Sequence, residues 1–270
     1  MVSSLVPDFE VKVLLKPSEV LDSENKAKAD VLSAFGFTSR AKKMNVQFLD
    51  TRNREFYNNG WNLRIRKTED DDKYELTYKK RYDISTGFST TAEGHIKETL
   101  EVARQEGLDS STGFEAQVDI GYQKQTLSIS RDKEVPTGQA GTDLPPLEAS
   151  RKLLADGAPE KFNNWKGANW GTQRLADSIV YGPVLAERFK VKWQGLRLFL
   201  EVWPIRKSKT DASLEYIVEA SFKADTLQEA VEGRDKLIKV LQDDSIGRDW
   251  FLPGDSLRTK LIMERYGEVN

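Results

Sequence analysis

The sequence predicts an α+β fold in which antiparallel strands dominate. Two observations predict it. Apolar and polar residues alternate with the period of a strand in segments near both ends of the chain, and amphipathic helical patterns fall between and after them. A length of 270 residues, with 38% hydrophobic and 31% charged, is enough to bury a core in a soluble chain.

In "FEVKVLLK" (9–16), Val11, Val13 and Leu15 share one face, and Glu10, Lys12 and Lys16 the other, with Leu14 among them; this is a strand. "SENKAKADVLSAFGF" (23–37) spaces Ala27, Val31, Leu32 and Phe35 as a helix does, with Gly36 suited to its cap. "VQFLDT" (46–51) is a second strand, broken by Asn59-Gly60 turn chemistry. "LRIRK" (63–67) and "KYELTYKKRY" (73–82) follow as a hairpin around the acidic turn "EDDD". "STTAEGHIKETLEVARQEG" (89–107) fits a strand, a helix or both. "FEAQVDIG" (114–121) and "QTLSISRD" (125–132) are strands, 135–146 is a loop, 147–157 a short helix, and the Gly/Asn-rich aromatic run 161–173 fits no element. Three alternating strands (184–194, 196–205 and 214–223), an amphipathic helix (226–244) and a closing helix or strand (255–266) complete the chain.

Composition removes several chemistries. With no Cys there is no disulfide framework, thiolate or Cys-bound zinc, and with His95 as the one His there is no His-rich metal site and no His-Glu-x-x-His motif. A formal charge of −2 leaves no global field for nucleic acid, no apolar run is long enough to span a membrane, and the N-terminus has no signal-peptide pattern, so a cytoplasmic protein is expected. The remaining carboxylates and cations suit Mg²⁺ or Mn²⁺ and phosphate.

Cations concentrate on single strand faces. Arg64 and Arg66 oppose Leu63 and Ile65; Arg188, Lys190 and Lys192 oppose Phe189, Val191 and Trp193; Glu215, Glu219, Ser221 and Lys223 share a face. An open sheet with one wet face explains such alternation. A barrel with its apolar faces outward under helices explains it too, and then the charges line a tunnel and need partners. A polyphosphate with a divalent cation would supply them.

The stretch "FLDTRNREFYNNGWNLRIRK" (48–67) resembles the second and third strands of the CYTH superfamily, the triphosphate tunnel metalloenzymes, through Asp50-Thr51, Gly60, Leu63, Arg64 and Arg66. "YELTYKK" resembles the next strand, with Lys79 as its lysine; "FEVKVLLK" sits where the family carries Glu-x-Glu-x-Lys; and 214–230 resembles a late strand with two alternating Glu and a following helix. "SLRTKLIMERY" (256–266) is similar to the C-terminal segment of thiamine-triphosphatase-like members and puts Lys260 forward. The likeness covers about 1–82 and 184–266, so a single domain over 1–270 with an insertion at about 100–175 is expected. It implies a closed eight-stranded antiparallel β-barrel with peripheral helices, a phosphorylated small-molecule substrate, and Mg²⁺ or Mn²⁺ held by Glu10, Glu201 and Glu219. Arg64, Arg66, Lys79, Arg188, Lys190 and Lys260 would bind phosphates, with Glu10, Lys12 and Lys79 at the reacting centre. The chain departs from the pattern at Lys12 and Ser221, where Glu is expected, and at Leu14, where Lys is expected.

The function so implied is metal-assisted hydrolysis of tripolyphosphate, a nucleoside triphosphate or thiamine triphosphate. Two alternatives accompany it. One is a repurposed tunnel acting on a (di)phosphate-bearing organic substrate, with Trp61, Trp165, Trp170, Trp193 and Trp203 lining an apolar compartment. The other is a polyphosphate-binding module without turnover.

Overall fold

The computed structural model describes residues 5–38, 40–84, 91–255 and 258–267. Residues 1–4, 89–90 and 256–257, which enter the readings of the N-terminus, of 89–107 and of the C-terminal segment, lie outside the described residues.

Nine strands close into one sheet: β1 (Asp8–Leu15), β2 (Lys42–Thr51), β3 (Trp61–Thr68), β4 (Lys73–Asp83), β5 (Glu115–Ile120), β6 (Gln125–Pro136), β7 (Ser178–Trp193), β8 (Leu196–Arg206) and β9 (Leu214–Ala224). Around the ring the order is β1-β5-β6-β4-β3-β2-β7-β8-β9, and β9 pairs back onto β1. All contacts in the ring are antiparallel except β1–β5, which is parallel with Glu10 opposite Asp119. The expectation of eight antiparallel strands is therefore corrected to a mixed barrel of nine. The difference arises in the segment read as an insertion, which supplies β5 and β6 to the wall. Alternation shows which residues share a face, but not the direction in which a strand runs.

Helices cover the outside: α1 (Pro17–Val20), α2 (Ala29–Phe35), α3 (Glu55–Asn58), α4 (Ala92–Gln105), α5 (Leu147–Asp156), α6 (Glu160–Asn163), α7 (Trp170–Ala176) and α8 (Leu227–Leu241). The first helix expected from the pattern starts late. The Asp22 carboxylate accepts the N–H groups of Glu24 and Lys26, both at 2.9 Å, and this local turn holds the chain out of helix until Ala29. Gly36 ends α2 in the left-handed conformation, as expected. Thr226 caps α8 by accepting the N–H of Glu229 at 3.1 Å.

The odd residues of β1, Phe9 to Leu15, are buried in one large core with Val31 and Phe35 of α2, Ile96 of α4, Leu154 of α5 and Leu237 of α8. The apolar strand faces therefore point outward beneath the helices, and the polar faces line the lumen. Each Leu-sized side chain so buried contributes about 1.5–3 kcal/mol. The run 161–173, which fits no element by pattern, forms α6 and the start of α7. There Phe162 and Trp170 pack on Phe56 and Trp61 with centroids 5.2–6.0 Å apart. Packing of aromatic rings, not helical periodicity, fixes that segment.

A further helix, α9 (Arg258–Arg265), lies against the lumen-facing side of the barrel. Ile262, Met263 and Tyr266 pack with Phe48, Tyr181, Trp203 and Ile205 in a second core. Phe48 pairs with Arg64, and Trp203 lies two residues from Glu201, so these apolar residues share the faces that carry the charges. The lumen thus has an apolar part filled by α9 and a charged part beside it.

Candidate anion site in the barrel lumen

Strand periodicity brings the candidate residues to one surface. Along β4, Glu75, Thr77, Lys79 and Arg81 point into the lumen in succession. Across β3 they meet Arg66, opposite Glu75, and Arg64, opposite Thr77. From Glu75 to Arg81 the strand rises roughly 20 Å. Two cavities sit at the two ends of this row. One, of about 430 Å³, is lined by Lys12, Tyr57, Arg81, Asp119, Arg258 and Lys260. The other, of about 500 Å³, is lined by Lys42, Arg66, Glu75, Arg188, Lys190 and Phe199. The six phosphate-binding candidates are therefore divided. Lys260 belongs to the first mouth, Arg66, Arg188 and Lys190 to the second, and Arg64 and Lys79 lie between.

The turn leading into β3 is built by Asp50. Its buried carboxylate accepts the N–H groups of Thr51, Phe56 and Tyr57 at 2.8–2.9 Å, and burial pushes its pKa up to about 6. The Asp-Thr pair is therefore a structural device for α3, which delivers Tyr57 to the first mouth. Gly60 closes that turn at φ +75°. A side chain there would meet the Lys80 ammonium at 2.8 Å, and the position accepts Gly alone without strain.

Each carboxylate expected to hold metal already has a cationic partner. Lys12 places its ammonium 2.8 Å from Glu10 and 2.6 Å from Asp119. Burial opposes charge on Lys12, but Asp119 and Glu10 overcome it and raise its pKa above the ordinary lysine value. Asp119 also accepts Gln117 at 2.8 Å and Ser128 at 2.7 Å; burial opposes its ionisation, yet Lys12, Lys79 and Arg81 hold its carboxyl well below the usual range. Glu201 and Glu219 are direct cross-strand partners, both buried. The Arg258 guanidinium joins them, touching Glu201 Oε2 and lying 2.7 Å from Glu219 Oε1. Arg188 holds the other oxygen of Glu201 at 2.5 Å, and the Trp203 indole N–H donates to Oε2 at 2.9 Å. Burial works against the Glu201 charge, but Arg258 and Arg188 keep its pKa down to about 2.

The register also explains the motif departures as one event. Lys12 lies directly opposite Ser221 across β1 and β9, and Leu14 lies opposite Glu219. Where Glu was expected at both positions, this chain sets an ammonium beside a hydroxyl. A divalent cation therefore does not fit this donor set as it is arranged: its carboxylates are neutralised from within, and no group of three or more His, Cys, Asp or Glu with metal-site geometry occurs among the described residues.

The cation side is different. Arg64 donates to Glu75 at 2.7 Å and Thr77 at 2.8 Å, and Arg66 binds the other oxygen of the same Glu75, so two guanidinium groups share one carboxylate. Lys79 and Arg81 have no ion-pair partner among the described residues; Arg81 reaches Thr259 at 3.5 Å. Burial lowers the Lys79 pKa to about 8; Asp119 pulls it back up, and repulsion from Arg81, Lys12 and Arg64 pushes it down again.

Three of these residues lay outside the sequence-based candidates. Arg81 continues the face of Lys79 by two residues, and Asp119 shares a face with Gln117 in β5; both were legible by alternation. Arg258 required the helical period. It lies four residues before Ile262, on the buried side of α9, whereas Lys260 lies four before Glu264, is exposed, and sits 3.9 Å from it. The residue of this helix that reaches the carboxylates is thus Arg258, while Lys260 stays at the mouth. Lys190 is exposed as well. The tryptophans do not form a compartment in the lumen. Trp61, Trp165 and Trp170 cluster outside the barrel, Trp193 packs on Phe35, and Trp203 faces inward against Arg258. His95 lies on α4, outside the barrel.

Comparison with solved structures yields the same architecture. A Hippeastrum protein described as a candidate adenylyl cyclase with a dominant triphosphatase activity is 15% identical, with 93% of each chain covered and a TM-score of 0.54. A Bacillus halodurans protein described as a candidate adenylate cyclase is 11% identical, covering 94% of this chain and 96% of its own, with a TM-score of 0.51. At these identities the likeness shows the fold alone. No family model matches the chain. No curated protein matches it. No helix among the described residues is long and apolar enough to cross a membrane.

Proposed function

With the fold shared and the lumen charged as described, we propose that the barrel binds an oligophosphate-bearing small molecule, held by cations of the chain itself. The observation that carries this is the unequal pairing of the lumen. Lys79 and Arg81 face it without an ion pair among the described residues, offset by the field of Asp119, which already pairs with Lys12, and Arg64 and Arg66 share a single carboxylate. Partly desolvated cations of one sign, brought together, make a site for a polyanion. Arg64, Arg66 and Arg81 supply planar donors for phosphate oxygens, and Lys79 a point charge between them. An arriving polyanion relieves their mutual repulsion and raises the Lys79 pKa again, so Lys79 enters the complex charged.

Metal-assisted hydrolysis is the second reading. The triphosphatase activity described for the Hippeastrum protein of the same fold favours it, and so does the presence here of Arg64, Arg66 and Lys79. Mg²⁺ or Mn²⁺ would supply charge neutralisation and an activated water, but the carboxylates of this chain point to Lys12 and Arg258 instead. The test is a panel of tripolyphosphate, ATP and thiamine triphosphate. Melting temperature is read in EDTA, and phosphate release is read with Mg²⁺ or Mn²⁺. The binding reading predicts a rise in melting temperature in EDTA with no metal-stimulated release. Metal-stimulated release that Arg64→Ala/Arg66→Ala abolishes would replace it with hydrolysis.

A further inference from the structure

Glu201 and Glu219 present a physical problem that Arg258 solves. Two buried carboxylates directly opposite each other on neighbouring strands repel strongly, and desolvation worsens it. The pair needs a cation between its carboxylates. Here the cation is tethered. Arg258, the first described residue of α9, touches Glu201 Oε2, lies 2.7 Å from Glu219 Oε1, and stacks 4.6 Å above the Trp203 ring. The apolar face of the same helix, Ile262, Met263 and Tyr266, is buried in the second core, so the guanidinium is positioned by packing as well as by charge.

We propose that Arg258 is a built-in replacement for a divalent cation: it closes a latent metal site formed by Glu201 and Glu219, and its removal opens that site to Mn²⁺ or Mg²⁺. With Arg188 on the second side of Glu201, two guanidinium groups already balance two carboxylates. A dication added to this arrangement brings two uncompensated charges into a desolvated wall. Once Arg258 is truncated, the two carboxylates have oxygen ligands to offer and a charge deficit that a hard dication fills. The inference concerns the carboxylate wall alone and does not depend on which anion the lumen holds.

The experiment is Mn²⁺ binding followed by electron paramagnetic resonance, without any phosphate compound present, on the full chain. Wild type is expected to show no site that depends on Glu201. Arg258→Ala is expected to bind one Mn²⁺ at least roughly a hundredfold more tightly than wild type, and to lose that binding in Arg258→Ala/Glu201→Gln. Mn²⁺ should also raise the melting temperature of Arg258→Ala and leave that of wild type unchanged. If Arg258→Ala does not fold in metal-free buffer, millimolar Mn²⁺ is expected to restore folding, and failure to do so counts against the proposal. A folded Arg258→Ala with no gain in Mn²⁺ affinity overturns it. A tight Mn²⁺ site in wild type that Glu201→Gln removes also overturns it, whatever the behaviour of Arg258→Ala.

Discussion

The β3–β4 wall and the β8–β9 wall face the same lumen with opposite electrostatic balances. On the first, Arg64 and Arg66 share one carboxylate, Glu75, and Lys79 and Arg81 make no ion pair among the described residues, feeling an Asp119 already paired with Lys12. On the second, Glu201 and Glu219 are matched by Arg188 and Arg258. One wall leaves an excess of cations; the other pairs its charges within the chain. The difference shows that a charged interior is not in itself a binding site. What decides is whether the pairing closes inside the protein.

The most severe way to break the comparison is to strip the closed wall of its guanidinium. Arg258→Ala leaves two buried carboxylates face to face and is expected to cost about 3–5 kcal/mol in denaturant unfolding without metal. The same truncation at Lys79 should cost far less, because Lys79 makes no ion pair among the described residues and Asp119 keeps Lys12 as its partner.

Acid separates the walls next. Glu201 is held at about 2 against an ordinary 4.5, so its folded pKa is depressed. Its contribution to stability is fully present above about pH 4.5 and is lost as pH falls from there toward 2. A plot of unfolding free energy against pH should therefore steepen in that window, and Glu201→Gln should remove that part of the slope.

Freeing the open wall further should sharpen its function. Glu75→Gln removes the carboxylate that Arg64 and Arg66 share, and calorimetry should show tripolyphosphate binding roughly tenfold tighter, with a stability change of about 1 kcal/mol or less.

The smallest expected effect comes from Lys79. With its pKa lowered to about 8, the ammonium loses its proton as pH rises through that value, and tripolyphosphate affinity should fall severalfold between pH 7 and 9. Lys79→Arg keeps its charge over the range and should flatten the curve; an unchanged slope in that variant would assign the titration elsewhere.

These walls were legible in the sequence to different depths. The cation rows were read directly, because "LRIRK" and "YELTYKK" alternate and strand geometry then fixes their common face. The barrel closure came from the resemblance, while the ninth strand and the parallel β1–β5 contact were missed, since periodicity carries neither strand count nor direction. The Asp50-Thr51 pair stood out through the resemblance, and the structure shows what it does: three backbone N–H groups converge on the Asp50 carboxylate. The partners of Glu201 and Glu219 were hidden for a different reason. Arg258 lies 34 residues beyond the end of β9 and 52 beyond the end of β8, on a short helix whose register decides whether Arg258 or Lys260 faces inward, and the apolar residues that set this register pack only in three dimensions.

The measurement that tests the account most directly is a calorimetric titration of tripolyphosphate into the protein in EDTA, for wild type and for Lys79→Met/Arg81→Met. The account predicts metal-free binding by wild type and a loss of at least roughly tenfold in the double variant, which remains as stable as wild type. Binding that requires Mg²⁺, or that survives the loss of both cations undiminished, would contradict it.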